Sequence, residues 1–501
     1  MAELNTEITN IFQEARKDLY YPPLKLEYAD VPSIQMDFKS GKYTILVNKD
    51  IMKIFSKNAI KGLFHHELNH WVKHPYNLKT IIMEQSMIEE ENHEKANLIR
   101  NLYDDVVVTL DLIVNKCLDD ILEFYREFES QSQLDSLLRT FFEDITGLNF
   151  YPGNLKSELR ERIQRLRRID FLDTSRTRIR KNIKEFVEII GDLIEGFRVP
   201  FSFFGIHDFP EEQVERALLE IAEESDFDEF RKVADTTGRW IGIAKGEKSS
   251  YQFERPDISW YLSRASRYVV YIKPLSKEGS MYPDEIKDFE IDDSVDSYSA
   301  IDSYGKILPG IARKYTMREF EGYSENPVPD AVIVIDSSGS MRNPDTEVSH
   351  AVIGAFAIAR NYLENGAKVG VINFSGRNIE LRPSTDVRKI YETLKIYQGY
   401  GTTLHLDELE KYVWEVDAED YILISDTGIQ NLNEILEFFS KLKRRITVIW
   451  VKSDVKNYEE FRRCWEAFRN RLPPSTTFIE VEREEDIPGI VVGKAFREIY
   501  A

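Results

Sequence analysis

The chain has 501 residues, more than one ordinary core can use, so two or three domains are expected. Hydrophobic residues make up 42% and aromatics 12%, which rules out wholesale disorder. A formal net charge of −21 repels nucleic acid and anionic membranes and excludes both as general partners. The opening residues are acidic and hold no apolar segment of leader length, so no secretory signal is expected. The apolar runs are strand length, well short of the roughly 20 residues that cross a bilayer. Cys117 and Cys464 are too few for a disulfide framework or a cysteine zinc site, and a reducing cytoplasm fits.

In chain order, a helix is predicted over Asn5 to Leu19. Two strand-like runs follow, Leu24–Tyr28 and Ile34–Phe38. Ser40, Gly41 and Lys42 then turn the chain into a third, Tyr43–Val47, as a hairpin. A helix is predicted from about Lys57 to Lys73, stopping before Pro75 because the residue ahead of proline avoids the α region. Another is predicted over Glu89 to Asn115, where Leu98, Leu102 and Val106 repeat at helical spacing. From Leu118 to Glu224 the pattern stays helical, with Phe142, Phe150 and Phe186 among charged faces. The stretch from Ser157 to Phe186 is locally basic, as a solvated face or an intramolecular partner for acidic stretches would be. Residues 281–305 are acidic, Ser-rich and aperiodic, and read as a linker or a loop laid over another domain.

From Asp330 strands and helices alternate. The apolar strands AVIVI, KVGVINF, YILIS, ITVIWV and TFIEV are separated by amphipathic helices. That pattern predicts an α/β fold, a doubly wound parallel sheet covered on both faces. The region before it is expected to be α+β up to residue 117 and mostly α over 118–280, with an acidic linker over 281–329. Ligands of doubly wound sheets sit at the carboxyl ends of the strands.

The first of these strands runs into Asp336-Ser337-Ser338-Gly339-Ser340. Hard cations want oxygen ligands: Asp336 supplies charge, Ser338 and Ser340 neutral oxygens, and Gly339 a sharp turn. Thr402, ahead of a helix, and Asp426, at the end of YILIS, fall where two further loops of the same sheet edge would converge. Together these five residues match DxSxS, then Thr, then Asp, and residues 330–501 resemble the von Willebrand factor A family with its metal-ion-dependent adhesion site. The resemblance implies a Mg²⁺ or similar divalent ion held by Asp336, Ser338, Ser340, Thr402 and Asp426, with a position left for an acidic side chain of a protein partner.

Five of the eight histidines fall between positions 65 and 93, and within them His66-Glu67-Leu68-Asn69-His70 is an HExxH. Positions i and i+4 of a helix share a face, so both imidazoles can reach one Zn²⁺, with Glu67 placed to take a proton from an attacking water. Strands followed by an HExxH helix resemble the zincin metallopeptidases, which implies a third protein ligand. The metzincin continuation is absent, since Lys73 and Tyr76 stand at its Gly and His positions. On a straight helix His74 lies roughly 12 Å beyond His66, too far to share the ion, and is expected at the helix C-terminus. Asn97, Asn101 and Asp105 form an i, i+4, i+8 stripe on the next helix, and Asp105 is the expected third ligand, ahead of Asp104 and His93. Tyr76 and Tyr103 are candidate oxyanion donors.

The whole layout resembles prokaryotic proteins that join an N-terminal zincin-like metallopeptidase region to a helical middle and a C-terminal von Willebrand A-type domain. In them HExxH is followed by Asn-x-x-x-Asp, which Asn101 and Asp105 match. Related von Willebrand A-type proteins are thought to work with MoxR-class AAA+ ATPases, so the resemblance implies such a partner. Two functions compete: a cytoplasmic zinc peptidase with Glu67 as general base, or a non-enzymatic adaptor with a structural N-terminal metal. A third expectation is intramolecular, with Asp292 or Asp293 completing the C-terminal metal site.

Overall fold

A computed structural model describes the chain apart from residues 1, 32–33, 40–41, 49, 93, 129–131, 149–156, 195–208, 247–256, 274–280, 291–292, 295–296, 307, 309–310, 320–327, 427, 443, 453–457, 473–475 and 493–501. It forms two units, Met1–Trp260 and Tyr261–Ala501. No helix among the described residues is long and apolar enough to cross a membrane.

In the first unit α1 (Ala2–Asp18) precedes β1 (Lys25–Ala29), β2 (Ile34–Lys39) and β3 (Lys42–Asn48). β2 and β3 form the expected antiparallel hairpin, and β1 lies parallel on the other side of β3. A single turn, α2 (Ile51–Ile54), leads to α3 (Lys57–Val72). Ser56 starts α3 by accepting from the Ala59 amide, one of the helix's four orphan donors. After α3 the chain curls back: the Lys73 amide donates to Asn69 O and the Tyr76 amide to His70 O, with Tyr76 left-handed at φ 49.

The single helix expected over Glu89–Asn115 is two. α4 (Leu78–Glu91) starts at Asn77, whose side chain accepts from the Thr80 amide, and α5 (Ala96–Leu110) follows a break at Asn92. α5 runs on into a π-helical turn, Asp111–Asn115. Asn69 Nδ2 donates to Val108 O at 3.3 Å and to Asp111 Oδ2 at 3.0 Å, tying α3 to that turn. The helical middle comprises α6 (Asp120–Glu127), α7 (Gln133–Thr146), α8 (Ser157–Leu166), α9 (Arg176–Ile190), α10 (Glu211–Glu224) and α11 (Phe227–Gly246), with α12 (Ile258–Ala265) at the division of the units. One apolar core runs from Ile8 to Ile194, continuous across residue 117. Phe142 and Phe186 lie in it; Phe150 lies outside the described residues. Arg162 and Arg176 of the basic stretch pair with Asp192 and Glu229, in keeping with an intramolecular role.

The second unit opens with β4 (Tyr271–Ile272), β5 (Met281–Asp288) and β6 (Arg313–Glu319). β5 and β6 pair antiparallel, with a register shift at Pro283/Glu285, so the stretch read as aperiodic linker contains a strand. Then come β7 (Ala331–Asp336), α13 (His350–Glu364), β8 (Val369–Phe374), β9 (Asn378–Ser384), α14 (Val387–Lys395), α15 (Leu406–Glu415), β10 (Asp420–Ser425), α16 (Leu432–Lys441), β11 (Arg445–Val451), α17 (Tyr458–Arg469), β12 (Thr477–Val481) and β13 (Val491–Val492). Six strands make one sheet in the order β12-β11-β10-β7-β8-β9, parallel except for β9. The fully buried parallel strands β7, β8, β10 and β11 are the Val/Ile runs the sequence displays. The order reverses between β7 and β10, so the loops leaving those two neighbours part in opposite directions.

Candidate metal centres

His66 and His70 project from α3 and Asp105 from α5. His66 Nε2 stands 3.2 Å and His70 Nε2 3.3 Å from Asp105 Oδ1, and the two imidazole nitrogens are 3.3 Å apart. Three donors each 2.0–2.1 Å from one tetrahedral zinc would be separated by about 3.3 Å. Hydrogen bonding fits the triangle less well. His70 Nδ1 donates to His74 O at 3.1 Å, so a neutral His70 turns a lone pair, not a proton, toward Asp105 and His66. His66 Nδ1 lies 3.4 Å from Thr109 Oγ1 on α5. Each ring thus has an outer partner on Nδ1 and presents Nε2 inward, the arrangement that orients imidazole ligands. These residues fit a zinc ion.

Electrostatics treat the two rings differently. Burial lowers the His66 pKa and keeps the ring neutral, as a ligand must be. Burial opposes the Asp105 carboxylate, but the two imidazoles outweigh it and hold its pKa below the usual range. His70 is raised: burial works against its charge, and Asp105, Glu67 and Asp104 overcome it. Glu67 is buried between the two histidines in sequence, and its charge bears on His70.

Asp104 and Asp105 are both buried, so neither is a solvated surface carboxylate. Asn101 is buried too, but Asn97 is exposed and does not share their surroundings. His93 lies outside the described residues. Asp104 turns away from the triangle. With His74 and Glu84 it forms a second buried group, His74 Nε2 standing 2.7 Å from Glu84 Oε1 and 3.3 Å from Asp104 Oδ1. Burial alone would lower the His74 pKa; Glu84 and Asp104 raise it to about 10. Burial raises Glu84 to about 7, His74 pulling down and Asp104 up. The expectation that His74 merely caps a helix end therefore gives way to this cluster. The oxyanion candidates separate as well. Tyr103 is fully buried against His74, Phe171 and Phe186, while Tyr76 is 54% exposed.

In the second unit Asp336 ends β7 and Asp426 follows β10, the two strands where the sheet order reverses. Ser425 Oγ donates to Asp336 Oδ2 at 2.7 Å and the Ser338 amide to Asp336 Oδ1 at 2.9 Å. Ser338 Oγ and Ser340 Oγ are 3.2 Å apart. The loop with Thr402 is laid against this turn: the Gly399 amide donates to Ser337 O and the Gly339 amide to Tyr400 O, both at 2.9 Å. A Cβ on Gly339 would stand 3.3 Å from Gly399 O, a tight fit that the absence of a side chain relieves. The Gln430 amide donates to Thr402 O, joining that loop to the one after Asp426.

Asp336 and Asp426 are both buried, and Asp426 Oδ2 has no hydrogen-bond partner. Burial, then the charge of Asp426, pushes the Asp336 carboxyl up to about 6. Two buried carboxylates with hydroxyls beside them fit a hard divalent cation. Ser425 escaped the sequence reading, although its place directly before Asp426 was a usable signal. Asp293 is engaged elsewhere, by Lys314 Nζ and the Glu290 amide, each at 2.6 Å, so it does not complete this site. Asp292 lies outside the described residues. Compared with known proteins, the chain matches no family model and no curated protein.

Proposed function

We propose that the chain is a cytoplasmic zinc-dependent peptidase. In this reading Met1–Trp260 contains a zincin-like region, and Tyr261–Ala501 a von Willebrand A-type domain that engages a protein substrate or partner through Mg²⁺. The observation that carries it is the triangle of His66 Nε2, His70 Nε2 and Asp105 Oδ1, with all sides at 3.2 or 3.3 Å, and the charge of Glu67 bearing on His70. Zinc held there supplies Lewis acidity to a peptide carbonyl. The chain's own residues do the rest. The His74 carbonyl and Thr109 fix which nitrogen each imidazole presents. Glu67 takes the proton of the water that adds to the carbonyl and returns it to the departing amine. Asp336, Ser338, Ser340, Thr402 and Asp426 would hold the second ion, which would supply a positive charge to a partner's carboxylate.

One observation favours a second reading. His66 is 0% exposed and Glu67 4%, a closed environment for a residue that must meet substrate. A metal that only braces α3 against α5, in an adaptor presenting clients to a MoxR-class AAA+ ATPase, fits that closure. Zinc content and cleavage of an unfolded protein, measured on the purified chain and on Glu67→Gln, separate the two. Zinc in both, with cleavage reduced by about 10²–10⁴-fold in the variant, is expected of a general base. Zinc in both with cleavage in neither would favour the adaptor. Zinc in neither would sink both readings of the first unit.

A further inference from the structure

The group formed by His74, Glu84 and Asp104 is separate from the triangle, though Asp104 is the chain neighbour of Asp105. Its side chains come from three places: the turn after α3, the middle of α4, and α5. They are 0%, 1% and 4% exposed. His74 Nε2, a Glu84 oxygen and an Asp104 oxygen all lie within 4.8 Å of one another. Yet neither His74 ring nitrogen, neither Glu84 oxygen nor Asp104 Oδ1 has a hydrogen-bond partner. His74 Nε2 and Glu84 Oε1 are close enough for one, at 2.7 Å, but their angle is wrong. Leaving so many buried polar atoms unbonded costs about 1–3 kcal/mol apiece, so something must satisfy them.

Two arrangements can. In the first, His74 is protonated and, with Arg100 Nε at 3.9 Å from Asp104, balances two carboxylates without an ion. The two carboxylates favour this protonated form, but an imidazolium must then donate from both nitrogens, and neither does so here with good hydrogen-bond geometry. In the second, a neutral imidazole and two carboxylates converge on a divalent cation; counting Arg100 this leaves one positive charge over, so bonding geometry and not charge is what favours it. His74 Nε2 stands 3.3 Å from Asp104 Oδ1, the spacing of two ligands on one tetrahedral ion, and 2.7 Å from Glu84 Oε1, which would have to swing out a little to admit one. The donor set, one imidazole nitrogen with carboxylate oxygens, suits a borderline transition ion such as Zn²⁺ better than Mg²⁺ or Ca²⁺.

We propose that His74, Glu84 and Asp104 form a second transition-metal site in the first unit, one helical turn beyond the His66–His70–Asp105 site. It stands apart from the peptidase reading, since it requires neither Glu67 nor a substrate. The backbone of His74 also accepts from His70 Nδ1, so an ion here would stiffen the turn that aims the first site's ligand.

The test counts zinc in the full chain, dialysed against Zn²⁺ with excess Mg²⁺ to occupy the second unit's site. About two equivalents are expected in the parent chain, and about one each in His74→Gln and in a His66→Ala/His70→Ala double variant. About one equivalent in the parent chain, unchanged in His74→Gln, would overturn the proposal and establish the metal-free network. Should the variants fail to fold, anomalous scattering at the zinc edge from crystals of the parent chain decides. A peak beside His74 Nε2 is expected, and a peak at His66 and His70 with none at His74 refutes the second site. A peak at His74 with none at His66 would instead defeat the peptidase reading and leave this one standing.

Discussion

At the scale of single residues, Asp336 ties the second unit to pH. Its folded-state pKa, about 6, exceeds the ordinary carboxyl value because it is buried and faces Asp426. A raised acid contributes stability that is fully present below its unfolded pKa and is lost as pH rises through the folded one. The metal-free unit should therefore lose stability between about pH 4 and pH 6. A cation reverses this, because it binds the ionised form. Mg²⁺ should raise the unfolding midpoint clearly at pH 7.5 and little at pH 5. Equal shifts at both values would remove Asp336 from the ligand set. In the first unit, Asp105→Asn keeps an oxygen but loses the charge that both imidazoles face. Zinc affinity, read by competition with a chromophoric chelator, should fall by more than the roughly 10–100-fold cost of losing an outer partner. Unchanged affinity would point to a different third ligand. Asp105 could be singled out in the sequence because i and i+4 share a helix face, which brings Asn101 and Asp105 under cover together. Asn97, chosen by the same rule, is exposed in the first turn of α5.

Elements set how firmly those residues are held. Gly62 lies on the side of α3 that meets α6, and a Cβ there would stand 2.4 Å from Asp120 C and 2.5 Å from Ile121 N. Those are backbone atoms, so the helices would have to part. Gly62→Ala should destabilise the first unit by about 1–3 kcal/mol in urea despite alanine's better helix propensity. Neutral or raised stability would mean that α3 and α6 can separate freely. The elements were legible where spacing is local. α3, with its HExxH, and the buried strands of the second sheet announce themselves by period and composition. β9 does not: it is an antiparallel edge strand, half-exposed, with Pro383 inside it, and such strands lack a continuous apolar run. β5 is acidic and exposed from Glu285 to Asp288, and only its pairing with β6, far along the chain, makes it a strand. The His74 cluster was equally invisible, because Glu84 joins it through the angle of α4, which no local pattern records.

For the whole molecule, two apolar cores among the described residues, one in each unit, imply two separate responses. The core from Ile8 to Ile194 surrounds the histidine site, and the one built on β7, β8, β10 and β11 carries the carboxylate site. Calorimetry should resolve two transitions, Zn²⁺ raising one and Mg²⁺ the other. A single transition moved by both ions would mean that the cores unfold together. The large negative charge, legible from composition alone, is compatible with cation binding in both.

The reversal of strand order at β7 and β10 has a consequence for how the second unit could diversify. The two carboxylates proposed to hold its cation are set by the sheet, since Asp336 ends β7 and Asp426 directly follows β10, central strands that cannot shift without disturbing the core. The rim around those carboxylates belongs to loops, including the connection between α14 and α15, where Tyr400 is 70% exposed. Carboxylates and rim can therefore change independently. If the proposed ionic contact to a partner holds, Tyr400→Ala should change partner affinity in a pull-down or titration while leaving Mg²⁺ affinity alone, since the loop can vary without moving the two carboxylates on the sheet.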